Sequence, residues 1–332
     1  MQMVPFSFRA IEELQLGPKW AAVFEERWPH YRAWFLREGE EARPSYATSV
    51  RMLRAHMPEL MPAYERIVEL AGDSDLAARM LSLYRPPPYL AACSQGVWSR
   101  EHVGPILVRN YDYAPSRMEG IIWSTRLTER RVIGMSDCLW GLLDGMNDAG
   151  LAVSLTFGGR RVLGDGFGIP LVVRYLLETC SDVASARESL ARLPYALAHN
   201  LTVVDRAGEV LTAYLSPDRE PIFRNVPAAT NHQGIVDWPE QARATRTIER
   251  ERCILDLIGR PDTTAASFED AFLRSPLFST AYDSGFGTLY TAAYRPAEGV
   301  VDYRWPSFSW RLEFDVFVEG EHTEALAEGA VA

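Results

Sequence analysis

The sequence predicts an α+β protein with mostly antiparallel sheets, preceded by a helical N-terminal segment. Apolar residues recur at helical spacing up to about residue 85, and the prolines at 86–88 then end that pattern. From residue 89 onward the apolar period is closer to two, with two helical stretches between groups of strands. Strands followed by a helical layer and further strands are typical of this class. A chain of 332 residues with 47% hydrophobic residues can bury a substantial core.

The first 92 residues are predicted to form a helical leader. Its first helix carries an apolar stripe that continues beyond Pro29 and is rich in tryptophan and other aromatic residues, and three more helices follow at 46–56, 60–71 and 75–84. We interpret the stripe as a packing surface rather than a cofactor site. The whole of residues 1–85 is therefore predicted to be helical.

Residues 93–320 are predicted to form one domain. Its helices are expected at 170–178 with 183–191, and at 239–257 with 267–273. Glycines at 150 and 208 fit tight turns between strands, because glycine adopts positive φ without steric cost. Residues 321–332 are predicted to be a flexible acidic tail. The predicted strands are 120–126, 131–135, 138–144, 151–157, 201–205, 210–215, 222–226, 288–294 and 301–305.

A predicted hairpin brings three chemically suggestive residues together. Cys93 begins its first strand, Arg109 and Asp112 end its second, and the turn is expected at 103–105. A guanidinium lowers the pKa of a neighbouring thiol, and a carboxylate can orient the base that takes the thiol proton. The alternative is structural, since a lone cysteine is most often a small buried hydrophobe and an Arg–Asp pair on a surface contributes little.

Two polar positions further along the chain could complete such a site. Asn231 and His232 follow the predicted strand 222–226, and an asparagine at a strand end can donate to a developing oxyanion. The alternative there is an ordinary asparagine-containing turn. Thr156 is the polar residue near the end of strand 151–157. The glycine-rich segment 164–168 lacks the spacing of a dinucleotide-binding motif and is predicted to be a loop.

Composition argues against several classes of function. The net charge of −10 disfavours nucleic-acid binding, and four cysteines without metal-ligand spacing argue against a disulfide framework or a zinc site. No stretch predicts a signal peptide or membrane span, so we expect a cytoplasmic protein that acts on small molecules without a cofactor. Self-association into a homo-oligomer stays open.

Taken together, the motifs resemble one known family. Cys93 after a leader, the Arg109–Asp112 segment, the 145–151 hairpin, the 168–170 helix entry with Arg174, and 230–232 occur in the same order in the acyl-coenzyme A:6-aminopenicillanic acid acyltransferase family, also called peptidase family C45. That family is related to choloylglycine hydrolases, penicillin V acylases and acylethanolamine amidases among the N-terminal-nucleophile (Ntn) hydrolases. The resemblance covers nearly the whole chain.

The resemblance implies an αββα sandwich that cuts itself between Ala92 and Cys93, leaving two chains associated. It also implies that Cys93 attacks a linear non-peptide amide or thioester, with its own α-amine as general base, and passes the acyl group to water or a small amine. Arg109 would neighbour the thiolate, Asp112 would bind the α-amine, and Asn231 would donate to the oxyanion.

Three departures from the family pattern accompany the resemblance. Relatives commonly have glycine where this chain has Ala92, and many have asparagine where it has Thr156, which leaves Thr156 as a shorter candidate for the oxyanion site. An additional arginine found late in some members has no clear match in this chain, where Arg295 and Arg304 are the candidates.

Two other classes of protein fit the same residue types. An uncleaved, papain-like thiol hydrolase would use Cys93 with His232 and Asp237 as a triad, and it would require His232 for turnover. A catalytically silent binding module with the same fold would show neither cleavage nor acylation of Cys93.

Overall fold

A computed structural model describes residues 2–100 and 103–328 of the chain. Within them, the helices are α1 (Pro18–Phe35), α2 (Tyr46–His56), α3 (Met61–Leu70), α4 (Asp75–Leu81), α5 (Ile169–Thr179), α6 (Val183–Arg192), α7 (Pro239–Ala244), α8 (Thr247–Gly259) and α9 (Ala265–Ala271). The strands are β1 (Gln2–Glu12), β2 (Ala92–Arg100), β3 (Val103–Tyr113), β4 (Ile121–Thr125), β5 (Val132–Asp137), β6 (Gly141–Asn147), β7 (Leu151–Phe157), β8 (His199–Asp205), β9 (Val210–Leu215), β10 (Ile222–Arg224), β11 (Ala228–Ala229), β12 (Thr280–Ala281), β13 (Phe286–Arg295), β14 (Val300–Trp305), β15 (Phe308–Glu313) and β16 (Gly320–Glu328).

The strands form two sheets. The larger has nine strands in the order β10-β9-β8-β7-β6-β5-β4-β1-β16, and all of its neighbours are antiparallel except β1 and β4. The smaller has the order β11-β2-β3-β13-β14-β15, with β12 paired to β13. Every residue of β6, β7 and β8 is buried, because these strands are covered on both faces.

The sheets lie face to face between two helical layers. Strand β2 contacts β7 and β8 across the sandwich, while α5 packs on β6 and β7 and α6 packs on β8 and β9. On the outer face of the smaller sheet, Ile254 of α8 and Phe268 of α9 pack against a cluster that includes Trp98 and Val108. This is the αββα arrangement that the resemblance implies, and the α+β prediction is confirmed.

The leader packs as helices against one end of the larger sheet. The indole Nε1 of Trp20 in α1 donates to the carbonyl of Leu139 at 3.1 Å, and Trp140 Nε1 donates to the carbonyl of Leu81, the last residue of α4, at 2.8 Å. The first part of the predicted aromatic stripe is therefore a packing surface, since Trp20 and Phe24 are buried. The three later leader helices agree closely with those predicted.

The prediction of helix before Pro18 is wrong. Residues Gln2–Glu12 form β1, which lies between β4 and β16 in the larger sheet, with Phe8 and Ala10 buried. Alternating burial on a strand explains why these apolar residues do not continue the helical stripe. The leader thus contributes a strand to the same sheet as residues 121–224.

The predicted acidic tail is also wrong over most of its length. Gly320–Glu328 form β16, which pairs with β1 from Ala10↔Gly320 to Gln2↔Glu328, whereas 329–332 lie outside the described residues. A charged sequence is compatible with an edge strand, because one face and one edge are open to water.

Several local boundaries differ from those predicted. The strand predicted at 138–144 is β6, which begins at Gly141 and ends at Asn147, because Cys138 and Leu139 adopt positive φ in a turn before it. Strand β3 already begins at Val103, which pairs with Arg100, so the turn predicted at 103–105 is wrong; residues 101–102 lie outside the described residues. The helix predicted at 239–257 is divided in two, because Arg246 adopts a left-handed conformation with φ of 50° between α7 and α8. The new direction of α8 brings one of its arginines into the site described next.

Candidate active site

Cys93 is the second residue of β2 and is completely buried. The β2–β3 pairing sets Cys93 opposite Tyr111 and Ala92 opposite Asp112, so the predicted hairpin does bring these segments together. In the antiparallel ladder Gln95 pairs with Arg109, which places the arginine within reach of the thiol. The hairpin register therefore determines the surroundings of the Cys93 thiol, of the Cys93 backbone nitrogen and of the Asp112 carboxylate.

The Arg109 guanidinium is fixed beside the thiol. Its Nη2 lies 3.2 Å from Cys93 Sγ and also donates to the carbonyl of Leu155 at 3.2 Å. Its Nη1 donates to the Tyr290 hydroxyl at 2.9 Å and to the carboxylate of Asp144, a fully buried ion pair. Because both nitrogens have these buried partners, the positive charge cannot move away from the sulfur.

The thiol is nonetheless held in its protonated form in the intact chain. Burial raises the pKa of Cys93 to about 11, and Arg109 opposes this increase only in part. A buried, uncleaved Cys93 is therefore a weak nucleophile at neutral pH.

Asn231 binds the Cys93 backbone nitrogen. The N–H of Cys93 donates to Asn231 Oδ1 at 3.1 Å, and Arg250 Nη2 donates to the same oxygen at 2.9 Å. The amide Nδ2 of Asn231 donates to the carbonyl of Phe157 at 3.2 Å. Two donors at one oxygen fix the orientation of the amide. In the intact chain Asn231 thus holds the nitrogen that cleavage would release.

Asp112 is paired with an arginine that the sequence analysis missed. Its carboxylate forms a buried ion pair with Arg250 Nη1 and accepts a hydrogen bond from the Thr288 hydroxyl at 2.6 Å. Burial raises the pKa of Asp112 above its ordinary value, although Arg250 and Thr288 oppose this. Arg250 therefore joins Asp112 to Asn231. We call the group Cys93, Arg109, Asp112, Asn231 and Arg250 the Cys93 network.

The late arginines proposed as matches do not join this network. Arg295 pairs with Glu269 and Asp302, and Arg304 pairs with Glu269 and Asp270. Both lie on the smaller sheet, in strands β13 and β14, where the ion pairs with these acidic residues explain their positions. No sequence signal distinguishes Arg250 from the other arginines of α8, and only the fold brings it to Asp112.

The hydroxyl of Thr156 is hydrogen-bonded to Thr230 and Asn200 and not to the nucleophile Cys93. Its hydroxyl donates to the carbonyl of Thr230 at 2.8 Å and accepts from Asn200 Nδ2 at 3.1 Å. Asn200 Nδ2 also lies within hydrogen-bond distance of the carbonyls of Thr230 and His232. These bonds fix the segment that carries Asn231.

The papain-like triad is not assembled. His232 Nδ1 accepts from the Gly234 N–H at 3.1 Å, and its Nε2 lies 3.1 Å from Glu251. Asp237 instead pairs with Arg160 at 3.0 Å. Among the described residues, neither His232 nor Asp237 has a hydrogen bond to Cys93. Because Glu251 is the carboxylate beside His232, it and not Asp237 would have to orient the imidazole.

A cavity of about 720 Å³ is connected to the Cys93 network through Phe157, although none of the five network residues lines it. The leader helix α1 contributes His30, Tyr31 and Trp34, and Arg37 lines the cavity just after this helix. The segment just before the nucleophile contributes Pro88, Tyr89 and Leu90. Phe157 also lines it, and the Phe157 carbonyl accepts from Asn231, whose Oδ1 binds the Cys93 nitrogen. A chain of two hydrogen bonds thus links the cavity wall to the nucleophile.

The arrangement suits acyl transfer to sulfur. A thiol beside a fixed guanidinium, a backbone nitrogen bound by an amide, and an adjoining apolar cavity are the parts that such a reaction needs. Within residues 2–100 and 103–328 there is no group of three histidine, cysteine or acidic side chains that could hold a metal ion. Over the same ranges, no helix has the length and apolar character needed to cross a bilayer.

Comparisons with known proteins agree with this fold. The model of the acyl-coenzyme A:6-aminopenicillanic acid acyl-transferase family matches residues 99–310, beginning just after Cys93. Penicillin V acylase from Agrobacterium tumefaciens is similar in structure with a TM-score of 0.50 and 14% identity, over 67% of this chain and 86% of that one.

Two further solved structures are similar at lower scores. A mutant of the conjugated bile acid hydrolase from Clostridium perfringens gives a TM-score of 0.41 at 13% identity over 72% of this chain and 99% of its own. The Caenorhabditis elegans ortholog of N-acylethanolamine-hydrolyzing acid amidase gives 0.45 at 15% identity over 62% and 93%. A search of curated proteins found no sequence match. Since the family model covers more than half of the chain, the protein belongs to the acyl-coenzyme A:6-aminopenicillanic acid acyltransferase family and has an Ntn-hydrolase fold.

Proposed function

We propose that this protein cuts itself between Ala92 and Cys93 and then uses the freed Cys93 to cleave a linear non-peptide amide or thioester. One observation carries the proposal: Arg109 Nη2 lies 3.2 Å from the thiol, while Asn231 Oδ1 accepts from the Cys93 nitrogen at 3.1 Å. The sulfur and the nitrogen of one buried residue are thus each held by a different side chain. A structural cysteine needs neither contact.

In the self-cleavage step, Cys93 Sγ attacks the Ala92 carbonyl carbon. The C–N bond breaks, the thiol proton passes to the Cys93 nitrogen, and a thioester joins Ala92 to the sulfur. Water then adds to the thioester, giving the Ala92 carboxylate and a free thiol. Burial of the thiol slows the first step, because its pKa is raised to about 11, and the charge of Arg109 stabilises the attacking thiolate.

In turnover, the new α-amine acts as the base. With a pKa near ~8, an α-amine can accept the thiol proton at neutral pH. The thiolate attacks the substrate carbonyl, and the protonated α-amine then gives its proton to the leaving amine or, for a thioester, to the leaving thiolate. Water or a small amine, deprotonated by the same α-amine, attacks the carbonyl carbon of the acyl-Cys93 thioester, and the departing sulfur takes back the proton as the free thiol. The products are an acid, or a new amide, and the released amine or thiol.

The remaining residues of the Cys93 network orient these groups. Asn231 Oδ1 is already an acceptor for the nitrogen that becomes the α-amine, and Asp112 lies opposite Ala92 at the cleavage point. Arg250 bonds to both side chains and keeps them in place. The Asn231 amide Nδ2, now bound to the carbonyl of Phe157, is the candidate donor to the oxyanion.

Hydrolysis is our first choice over transfer to an amine. The cavity is open to solvent and admits water, whereas a transferase has to exclude water and hold a second substrate. The two chains stay associated in this proposal, because α1 packs on the domain and β1 hydrogen-bonds to β4 and β16.

The proposal is tested by trapping the acyl group. Purified protein is incubated with a reactive N-acyl amide or acyl thioester, and the modified peptide is located by mass spectrometry. We expect one adduct on Cys93, and release of free acid by the unmodified protein. Cys138 is the matched control, since it is a buried free thiol that lines the cavity.

The variant Cys138→Ala should still form the Cys93 adduct, and Cys93→Ala should form none. A cleaved, folded protein that gives no adduct with any acyl probe would contradict the proposal and favour the binding module. Loss of turnover in His232→Ala with an uncleaved chain would favour a histidine-dependent thiol hydrolase.

A further inference from the structure

The cavity beside the Cys93 network has an apolar body and a basic rim. Its walls include Trp34, Tyr89, Phe157 and Trp238, and four arginines also line it, at 37, 117, 160 and 161. The chain as a whole carries a net charge of −10, so this concentration of arginine contrasts with its average charge. Pockets of this kind bind the apolar part of a ligand on their walls and its charged group at the positive end.

The four arginines differ in their partners. Arg160 pairs with Asp218 and Asp237, and Arg37 donates to the carbonyl of Pro88. In the described part of the chain, no ion pair with a carboxylate involves Arg117 or Arg161. Each of these two lies beside an aromatic ring instead: Arg161 Cζ is 3.6 Å from the centroid of Trp238, and Arg117 Cζ is 5.9 Å from that of Tyr113.

Stacking on a ring leaves the edge of a guanidinium free to bind an anion. A planar guanidinium donates in its own plane and can stack and form a forked hydrogen bond to a carboxylate at the same time. Arg117 and Arg161 are both exposed at the rim, so their donors face water or a ligand. Among the described residues, the acidic side chain that lines the cavity is Asp137, whose pKa is raised to about 7 by burial and by Glu119. It therefore offsets the arginine charge only in part near neutral pH.

The chain itself indicates which half of a substrate lies in the cavity. In the proposed self-cleavage, the acyl group is the leader segment that ends at Ala92. The residues of that segment at 88–90 already form part of the cavity wall. The acyl side of the scissile bond is thus the side on which the cavity lies, whereas the amine side continues into strand β2.

We propose that the substrate is an amide of an ω-carboxyacyl group, whose apolar chain lies along the aromatic walls of the cavity and whose distal carboxylate binds Arg117 and Arg161. This inference rests on the proposed function, and it adds the class of acyl group that the site accepts. The carboxylate is expected to lower KM rather than raise kcat, because it binds far from the reacting carbonyl.

The experiment compares two fluorogenic amides of 7-amino-4-methylcoumarin, one with a suberoyl group and one with an octanoyl group. The two acyl chains have the same length and differ only in the terminal carboxylate. The intact protein should cleave the suberoyl amide with a kcat/KM at least tenfold higher. Arg161→Gln and Arg117→Gln should each lower kcat/KM for the suberoyl amide at least fivefold more than for the octanoyl amide.

Arg187→Gln is the matched control, since Arg187 also stacks on an aromatic ring, with Cζ 4.9 Å from the centroid of Phe223, but does not line the cavity. It should leave the preference unchanged. Equal cleavage of both amides by the intact protein would overturn this inference and leave the proposed function in place. So would arginine variants that affect both amides alike.

A binding measurement separates this inference from the proposed function. If neither amide acylates Cys93, the proposed function fails, and calorimetry on the unsubstituted protein then decides the inference. Suberic acid mono-N-methylamide should bind at least tenfold more tightly than octanoic acid N-methylamide, and Arg161→Gln should abolish the difference. Equal binding of the two compounds would overturn the inference.

Discussion

The Cys93 network and the cavity beside it differ in the burial and in the ion pairing of their charged side chains. In the network, Arg109 pairs with Asp144 and Arg250 pairs with Asp112, and all four side chains are buried. At the cavity rim, Arg117 and Arg161 are exposed, Arg161 stacks on Trp238, and neither has an ion pair among the described residues. Buried charges without partners are costly, whereas exposed ones are hydrated and can exchange water for a ligand.

The comparison separates two tasks of the site. The network has to hold the sulfur and nitrogen of Cys93 in one arrangement, and paired, buried groups are rigid enough for that. The cavity has to accept and release a ligand, so its charged groups remain accessible. Substitutions in the network should therefore affect kcat and stability, and those in the cavity should affect KM.

The largest effect is expected from Asp112→Asn. Turnover should fall on the order of a hundredfold or more, because the charge next to the cleavage point is lost. Stability should fall as well, by about 3 kcal/mol, because the buried Arg250 loses its ion-pair partner. Steady-state kinetics and urea unfolding measure the two effects.

The double variant Asp112→Asn/Arg250→Met separates the loss of turnover from the loss of stability. Removal of the unpaired buried charge should restore most of the stability without restoring turnover. Unchanged activity of Asp112→Asn in folded, processed protein would mean that Asp112 serves only as an ion-pair partner.

A smaller effect is expected in the cavity from Trp34→Ala. Loss of this wall of the cavity should raise KM about tenfold with little change in kcat, because apolar binding energy is lost equally from the ground state and the transition state. Trp28→Ala is the matched control, since Trp28 lies on the same helix and stacks on Phe24 but does not line the cavity. An equal change of KM in both variants would indicate general loosening of α1.

Thr156→Val should act on stability more than on the reaction. The variant removes the hydroxyl that donates to the Thr230 carbonyl, which should cost about 1–2 kcal/mol of unfolding free energy. Turnover should stay within about threefold, since the contacts of the hydroxyl are to Thr230 and Asn200. A loss of kcat near that of an oxyanion donor, about 10²-fold or more, would return Thr156 to the oxyanion site.

The smallest effect concerns Asp137, the carboxyl group in the cavity wall. Its folded-state pKa is raised from 3.8 to about 7, so its favourable contribution is complete below pH 4 and is lost as pH rises through 7. Asp137→Asn should therefore gain stability relative to the parent as the pH rises from 4 to 8.

Thermal unfolding across this pH range measures the Asp137 effect. Asp218→Asn should show the opposite sign at pH 8, because Arg160 lowers the pKa of Asp218. A difference for Asp137→Asn that grows as pH falls would contradict the assignment.

Local patterns predicted most of the fold. Strands such as Leu151–Phe157 and Val210–Leu215 have the predicted bounds, since their sequences have strong β propensity and end at turn residues. Strands β1 and β16 were missed because they depend on one another, and the charged sequence of β16 forms a strand only where β1 is beside it.

The site also combines residues that a local pattern predicts with residues that only distant packing brings together. Cys93, Arg109 and Asp112 could be predicted to approach one another, because one hairpin carries all three. Arg250 reaches them from α8 after the chain reverses at Arg246, and the cavity is built from α1, the 88–90 segment and loops after β7. Contacts between segments so distant in sequence follow from packing, which no local pattern records.

Intact mass spectrometry of the purified protein tests the central claim most directly. The account predicts two species that copurify, with the cut between Ala92 and Cys93, and a single full-length species for Cys93→Ala. The conservative variant Cys138→Ala should be cut like the parent. A full-length chain that turns over amides without cleavage would contradict the account, because Cys93 would then lack the free α-amine that serves as its base.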